Sequence, residues 1–470
     1  MSKRQIDMLD RNSLINLGVR LQIKGYNNFF NSPYLKKSKI KELIQEKLRE
    51  YKSLKRSNSL NILPPIYNNN IPITKESKKD KKDNYEIFEV SNNTMKKSKS
   101  LSSFKKKSIK KNMSTINDII QIYNIDRYNY PKVKKLVAIG DIHGDLSVAI
   151  KALKLAGVID LSLPDDIRDI SKISWTGGGT YVVQLGDQID RVRPNKLYNN
   201  LCIEEDADLC EDEGSDLKII YLFEKLHKEA KEQGGALFSV FGNHELMNVD
   251  GDFRYVSPKE FHEFGHFFKG NYEQNSKVPF GYKERLEVFK PGGKLSKRLA
   301  LTRYSILQIG SWLFVHGGIS PVCAEKYSIK EINACIKNWL LGHSDIQTQL
   351  NDIFYNDNDD DSPFWSRIYS DMDEWDEHHG TQQFNKTINM LNIKNLKNEN
   401  NIIKGMIMGH SPQFMYNRGI NSSNNDKIWR VDIGASKAFG FVDCSPESKN
   451  RRVQVLVIHN DTDFSIVKEK

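Results

Sequence analysis

The stretch Ala138-Ile-Gly-Asp-Ile-His-Gly-Asp-Leu146 decides the fold. An apolar run, Leu136 to Ile139, stops at a glycine, and an Asp and a His follow two residues apart. A buried strand hands polar side chains to the rim of an α/β sheet in this way. Leu146 to Ala156 then reads as a helix ending at Gly157, which completes a strand–loop–helix unit.

The same design recurs along the chain. Thr180 to Leu185 is a second apolar strand and runs into Gly186-Asp-Gln-Ile-Asp-Arg191. A helix over Asp216 to Gln233 leads through Gly234-Gly235 to a third strand, Ala236 to Phe241, which ends in Gly242-Asn-His-Glu245. Trp312 to Val315 precedes His316-Gly-Gly318, and Met406 to Met408 precedes Gly409-His410. The strands Ile428 to Ile433 and Val453 to His459 read as the remainder of a second sheet. Any one of these ends is explained by a turn with a polar cap. Five in order are not.

The ends supply Asp141, His143, Asp187, Asn243, His316 and His410, with no cysteine among them. Oxygen and imidazole donors suit Mn²⁺, Fe or Zn²⁺ better than a soft metal. One carboxylate must bridge if six residues are to hold two ions, and Asp187 is the natural bridge. Such a pair activates water against a phosphorus centre. His244 stands beside Asn243 as a proton donor for the leaving group, and Asp190 is placed to fix its tautomer. Arg191 and Arg367 are candidate forks for phosphate oxygens. One string points elsewhere: His262-Glu-Phe-Gly-His266 matches a zinc-protease motif. Its extended form needs Gly and His where Lys269 and Tyr272 stand, so it reads as a polar helix face.

Charge divides the 470 residues unevenly. Residues 1–130 carry 28 Lys and Arg against 12 Asp and Glu, whereas the remainder carries 42 against 48. The reading is an acidic body, 131–470, behind a basic, low-complexity arm that is largely disordered. Within the arm, Ile40, Leu43, Ile44 and Leu48 space out an amphipathic helix over 36–55, whose partner is the catalytic body, another protein or nothing stable, and the arm as a whole reads as a solvated tail or a docking arm. The arm lacks the interleaved aromatics of a base-stacking surface, which weighs against nucleic acid. No apolar run reaches the length of a membrane span. Five scattered cysteines (Cys202, Cys210, Cys323, Cys335 and Cys444) fit a reducing, intracellular compartment, cytoplasmic or otherwise. The acid-rich segment 199–216 reads as a solvated surface loop, with a substrate-selecting surface as the alternative.

Taken together, Gly140-Asp-x-His-Gly144, Gly186-Asp-x-x-Asp-Arg191, Gly242-Asn-His-Glu245, His316-Gly-Gly318 and Gly409-His410 resemble the ordered signature of the phosphoprotein phosphatase family of calcineurin-like metallophosphoesterases. Asp145 and the stretch Asn243 to Val256 resemble its Shewanella-like branch. The resemblance covers roughly 133–460. It implies an α/β, four-layer fold, a central β-sandwich flanked by helices. It also implies two divalent or trivalent ions: Asp141, His143 and Asp187 on the first, and Asp187, Asn243, His316 and His410 on the second. By the same resemblance His244 with Asp190 is the general acid pair. Arg191 and Arg367 (in Ser362-Pro-Phe-Trp-Ser-Arg367) bind phosphate. The expected activity is hydrolysis of phosphomonoesters on Ser, Thr or Tyr of phosphoproteins. The alternative is a dinucleoside-polyphosphate or RNA-cap pyrophosphohydrolase. One departure stands out: the family usually has Gly after Asp-Arg, and here Val192-Arg193-Pro194 follows. Glycine there permits a tight backbone, so the path of this loop is left open.

Overall fold

The computed structural model describes residues 123–272, 276–371, 375–395, 402–440 and 449–470. Residues 1–122 of the arm, expected to be largely disordered, and the amphipathic helix expected over 36–55 lie outside these residues. Among the described residues, fourteen strands run β1 Asn129–Tyr130, β2 Lys135–Ile139, β3 Tyr181–Gln184, β4 Leu197–Tyr198, β5 Leu201–Cys202, β6 Ala236–Val240 and β7 Arg303–Tyr304. They continue as β8 Ile306–Ile309, β9 Trp312–Val315, β10 Gly405–Met408, β11 Asn421–Ser423, β12 Ile428–Arg430, β13 Gln454–His459 and β14 Asp463–Lys468. One six-stranded sheet has the order β14-β13-β2-β3-β6-β7, and the other β1-β8-β9-β10-β12-β11. This is the mixed α/β architecture expected, with two sheets and flanking helices.

The strands that matter are parallel. β2, β3, β6 and β7 run the same way, as do β9, β10 and β12. Parallel strands covered on both faces must be apolar throughout, and every residue of Ala236–Val240, Trp312–Val315 and Gly405–Met408 is buried. Their carboxyl ends therefore carry the polar groups that the strands cannot. The helix Leu146–Ala156 follows β2 at once, with Asp145 accepting from the Val148 amide as its N-cap and Gly157 in the left-handed region as its C-cap.

Three expectations need correction. β12 joins β10 in its own sheet, but β13 crosses to the other sheet and pairs antiparallel with β2. It does so because β13 and β14 form a hairpin that covers the free edge of β2. Residues 123–130, assigned to the arm, belong to the body. β1 pairs with β8, and buried Tyr123 stacks on His227 with ring centroids 4.0 Å apart. The acid-rich segment is only partly solvated. It folds as the β4–β5 hairpin and the helix Glu204–Leu209, with Asp206 and Asp212 buried. Val192 packs against Cys202, Ala207 and Cys210, so the residue that replaces glycine anchors this segment. No described helix is long and apolar enough to cross a membrane.

Candidate active site

The strand ends converge. The β2 loop is laced to the β3 loop by the amides of Ile142 and His143, both donating to the Asp187 carbonyl at 3.0 and 2.9 Å. Glu245 fastens the β3 and β6 loops together, its carboxylate accepting from the amides of Asp187 (3.0 Å), Gln188 (2.7 Å) and Gly242 (2.7 Å). His143, Asp187, Asp190 and His410 all adopt positive φ, a concentration of backbone strain that packing elsewhere sustains. Two glycines are required by close approach. A Cβ on Gly242 would collide with the Asp187 carboxylate, and one on Gly409 with that of Asp141.

Asp187 Oδ2 is the centre of the cluster. It lies 3.8 Å from His143 Nε2, 3.8 Å from His244 Nε2 and 3.2 Å from His316 Nε2. His143 Nε2 is also 4.0 Å from Asp141 Oδ2. Asn243 Oδ1 is 2.9 Å and His410 Nδ1 is 3.1 Å from His316 Nε2. All six residues expected to bind metal are thus brought together and buried. Donor atoms within 4.8 Å of one another group as His143, Asp187 and His244, and again as Asp187, His316 and His410.

The donor set fits cations. His316 Nδ1 donates to the Leu185 carbonyl at 2.6 Å, and His410 Nε2 to the Trp365 carbonyl at 3.1 Å. These bonds fix the tautomers and turn the remaining lone pairs toward Asp187 and Asn243. Acceptors then face acceptors, which a cation or a proton resolves. Asp141 Oδ1 is buried without a hydrogen-bond partner. Burial, then the carboxylates of Asp432 and Asp187, pushes the Asp141 carboxyl well above its usual range. Burial and the Arg193 charge hold His143 neutral, and burial and Arg367 do the same for His410. Burial disfavours the Asp187 carboxylate, but His316 and His244 outweigh it and keep the group ionised. Asp187 in turn raises His316 against the effect of burial.

Beside this cluster, His244 Nδ1 donates to Asp190 Oδ2 at 2.7 Å, the pairing expected of a general acid. Asp190 is itself held by Asn248 Nδ2 at 2.9 Å and Arg285 Nη2 at 3.1 Å. Arg285 also pairs with Asp216 at 2.8 Å and bonds Asn248 Oδ1 at 2.7 Å, wholly buried. Glu260 Oε1 and Asp216 Oδ1 lack other donors, and a shared proton satisfies both. Burial and Asp216 push the Glu260 carboxyl well up.

The two arginines fare differently. Arg367 Nη1 donates to the His410 carbonyl at 2.9 Å and to Ser411 Oγ at 2.8 Å, at the edge of the cluster. Arg191 is not brought to the imidazoles. Its buried guanidinium pairs with Asp145 Oδ2 at 2.9 Å and donates to the Cys210 carbonyl at 3.1 Å. In the zinc-protease string, His262 and His266 are exposed on the helix Pro258–Phe267, while Glu263 turns inward to accept from the Leu217 amide at 3.0 Å. Sequence reasoning missed Asp432, Glu245, Asn248, Arg285 and Arg193. Asp432 had a positional signal, since it stands two residues beyond the end of β12 as Asp141 stands two beyond the end of β2. Arg285 had none.

The calcineurin-like phosphoesterase family profile matches residues 134–428, and the chain belongs to that family. It is accordingly a phosphoric monoester hydrolase. Within the family its likeness is to the Shewanella-like protein phosphatases. It is 30% identical over 381 residues to Shewanella-like protein phosphatase 2 of Arabidopsis thaliana, spanning 75% of this chain and 81% of that one. An uncharacterised protein of Acanthamoeba polyphaga mimivirus is 34% identical over 268 residues, 53% of this chain and 98% of that one. A solved structure, the cold-active protein-tyrosine phosphatase of a psychrophilic Shewanella species, aligns with a TM-score of 0.46 and 18% identity over 73% of this chain and 84% of that chain.

Proposed function

We propose that this chain is a metal-dependent phosphoprotein phosphatase that hydrolyses phosphomonoesters on Ser, Thr or Tyr. The observation that carries the reading is Asp187 Oδ2, shared by two groups of donors that meet at one atom. In our reading Asp141, His143 and Asp187 hold one ion, and Asp187, Asn243, His316 and His410 the other. Two bound ions, Mn²⁺ in vitro and Fe or Zn²⁺ as further candidates, supply Lewis acidity to the phosphoryl oxygens and to the attacking water.

The protein's own residues do the rest. His244 donates a proton from Nε2 to the departing alkoxide or phenoxide oxygen. Asp190 accepts the Nδ1 proton of the same ring and fixes its direction. Asn248 and Arg285 hold Asp190 in place, so the donor is oriented before substrate arrives. Arg367 borders the cluster and is assigned to a phosphoryl oxygen. Substrates are phosphoproteins, and a docking partner is assigned to the basic arm. A reducing compartment is supported by four buried free thiols, Cys202, Cys210, Cys323 and Cys335.

The test is a parallel assay, with Mn²⁺, of phosphoserine, phosphothreonine and phosphotyrosine peptides, diadenosine tetraphosphate and capped RNA. Release of phosphate from the peptides is expected. Cleavage of the pyrophosphates alone overturns the reading.

A further inference from the structure

Resting on the phosphatase reading, we propose that Arg193 is the guanidinium that receives the substrate's phosphoryl group, in place of Arg191. A phosphate ligand needs a positive charge that faces the chemistry and is not already neutralised. Arg191 fails on both counts, being buried and paired with Asp145 Oδ2 at 2.9 Å. Asp145 is fixed in turn, since it caps the helix Leu146–Ala156 and accepts from the Lys437 amide at 3.1 Å. Arg191 therefore joins the acid-rich segment to the β2 loop.

Arg193 meets both conditions. Its Nη2 lies 3.0 Å from His143 Nδ1, 2.7 Å from His143 Nε2 and 3.5 Å from His244 Nε2, between a metal-site imidazole and the proton donor. Among the described residues it forms no ion pair with a carboxylate. Its Nη1 donates to the carbonyls of Val192 at 2.9 Å and Asp190 at 3.4 Å, which anchors one edge of the fork. The guanidinium sits 4.7 Å from the Phe439 ring centroid and 5.2 Å from that of Tyr255. These rings also flank the histidines, Phe439 at 5.4 Å from His143 and Tyr255 at 4.8 Å from His244. Cation–π contact with two aromatic rings restrains the guanidinium, while Nη2 reaches the cluster.

Val192 explains the exchange. Its side chain is buried against Cys202, Ala207 and Cys210, and its amide donates to the Tyr255 carbonyl at 3.2 Å. Pinned there, the loop presents the residue after Val192 to the site rather than the residue before it. Proline at 194 then removes an N–H and stiffens the exit.

The test uses the full chain loaded with Mn²⁺ and titrated with inorganic phosphate by calorimetry, with metal content measured on every variant. Arg193→Ala should weaken phosphate binding by ~10–100-fold, the loss of one or two charge-assisted hydrogen bonds, with metal content unchanged. Arg193→Lys should recover part of it, since the charge returns without the fork. The doubly neutralised Asp145→Asn/Arg191→Gln chain should stay within ~3-fold of wild type. Phosphate affinity unchanged in Arg193→Ala overturns the assignment, even if peptides are still hydrolysed and the phosphatase reading stands. Loss of phosphate binding in a folded, metal-replete Asp145/Arg191 variant overturns it too. A wild-type chain that binds phosphate through Arg193 but releases none from peptides supports the assignment and removes the phosphatase reading.

Discussion

The rim of the active site and the floor beneath it are both buried and both charged, yet they are built on opposite terms. On the rim, Asp141, Asp432, His143 and His410 are all driven toward their neutral forms, and acceptor atoms face one another. On the floor, burial drives the Glu260 and Asp216 carboxyls upward as well, but Arg285 pairs with Asp190 and Asp216, and a proton shared by Asp216 and Glu260 settles the rest. The lesson is a division of labour. An electrostatic demand left unmet by protein is a place for ligand, whereas a demand met internally is a support. Asp190 belongs to both, since one carboxylate binds His244 and Arg285.

The contrast can be broken most sharply at Asp187. Asp187→Asn should cost turnover on the order of 1000-fold or more and strip bound metal together with activity, because the ions supply several kcal/mol of charge stabilisation. Full activity with normal metal content in that variant would dissolve the rim. At the shared boundary, His244→Asn should lower kcat by about 10²–10⁴-fold with metal retained, as removal of a general acid does. Equal loss of metal would make His244 a ligand instead.

On the floor the sign of the experiment changes. Arg285→Met should destabilise the fold by about 3–5 kcal/mol in urea unfolding, by leaving Asp190 and Asp216 buried without their counter-charge. Undiminished stability would show that the floor is decoration. Chelation should lower the stability of wild type by roughly 3 kcal/mol when free metal had stood about a hundredfold above its Kd, and leave Asp187→Asn unmoved.

The smallest effect is one of pH. Burial pushes the Glu263 carboxyl up to about 8 from 4.5, so the folded chain holds that proton more tightly than the unfolded chain. Stability from this group is complete below 4.5 and drains as pH rises toward 8. Glu263→Gln keeps an acceptor for the Leu217 amide and should flatten that decline. Parallel stability curves for the two proteins would refute it.

The rim was legible in the sequence because its logic is local. An apolar run, a glycine and a ligand sit within a few residues, and the helix Leu146–Ala156 runs over the expected residues and ends at Gly157. The floor was not, because its bonds join Asp190 to a residue 95 positions away and Asp216 to one 69 away. The same holds for β13, whose apolar pattern gives a strand without saying which sheet it will join. Arg193 was hidden for a subtler reason. The Asp-Arg pair of the motif drew attention to Arg191, while the side chain that turned the loop, Val192, is informative only once its burial against Cys202 and Cys210 is seen.

The His316 to Leu185 bond has one more consequence. His316 follows β9 in one sheet, and Leu185 follows β3 in the other, so the imidazole that would grip a metal is itself anchored across the sandwich. A bound ion would thus act as a rivet through the seam between the sheets. Anything that slides the two layers apart would first be felt as a slackening of the grip on that ion.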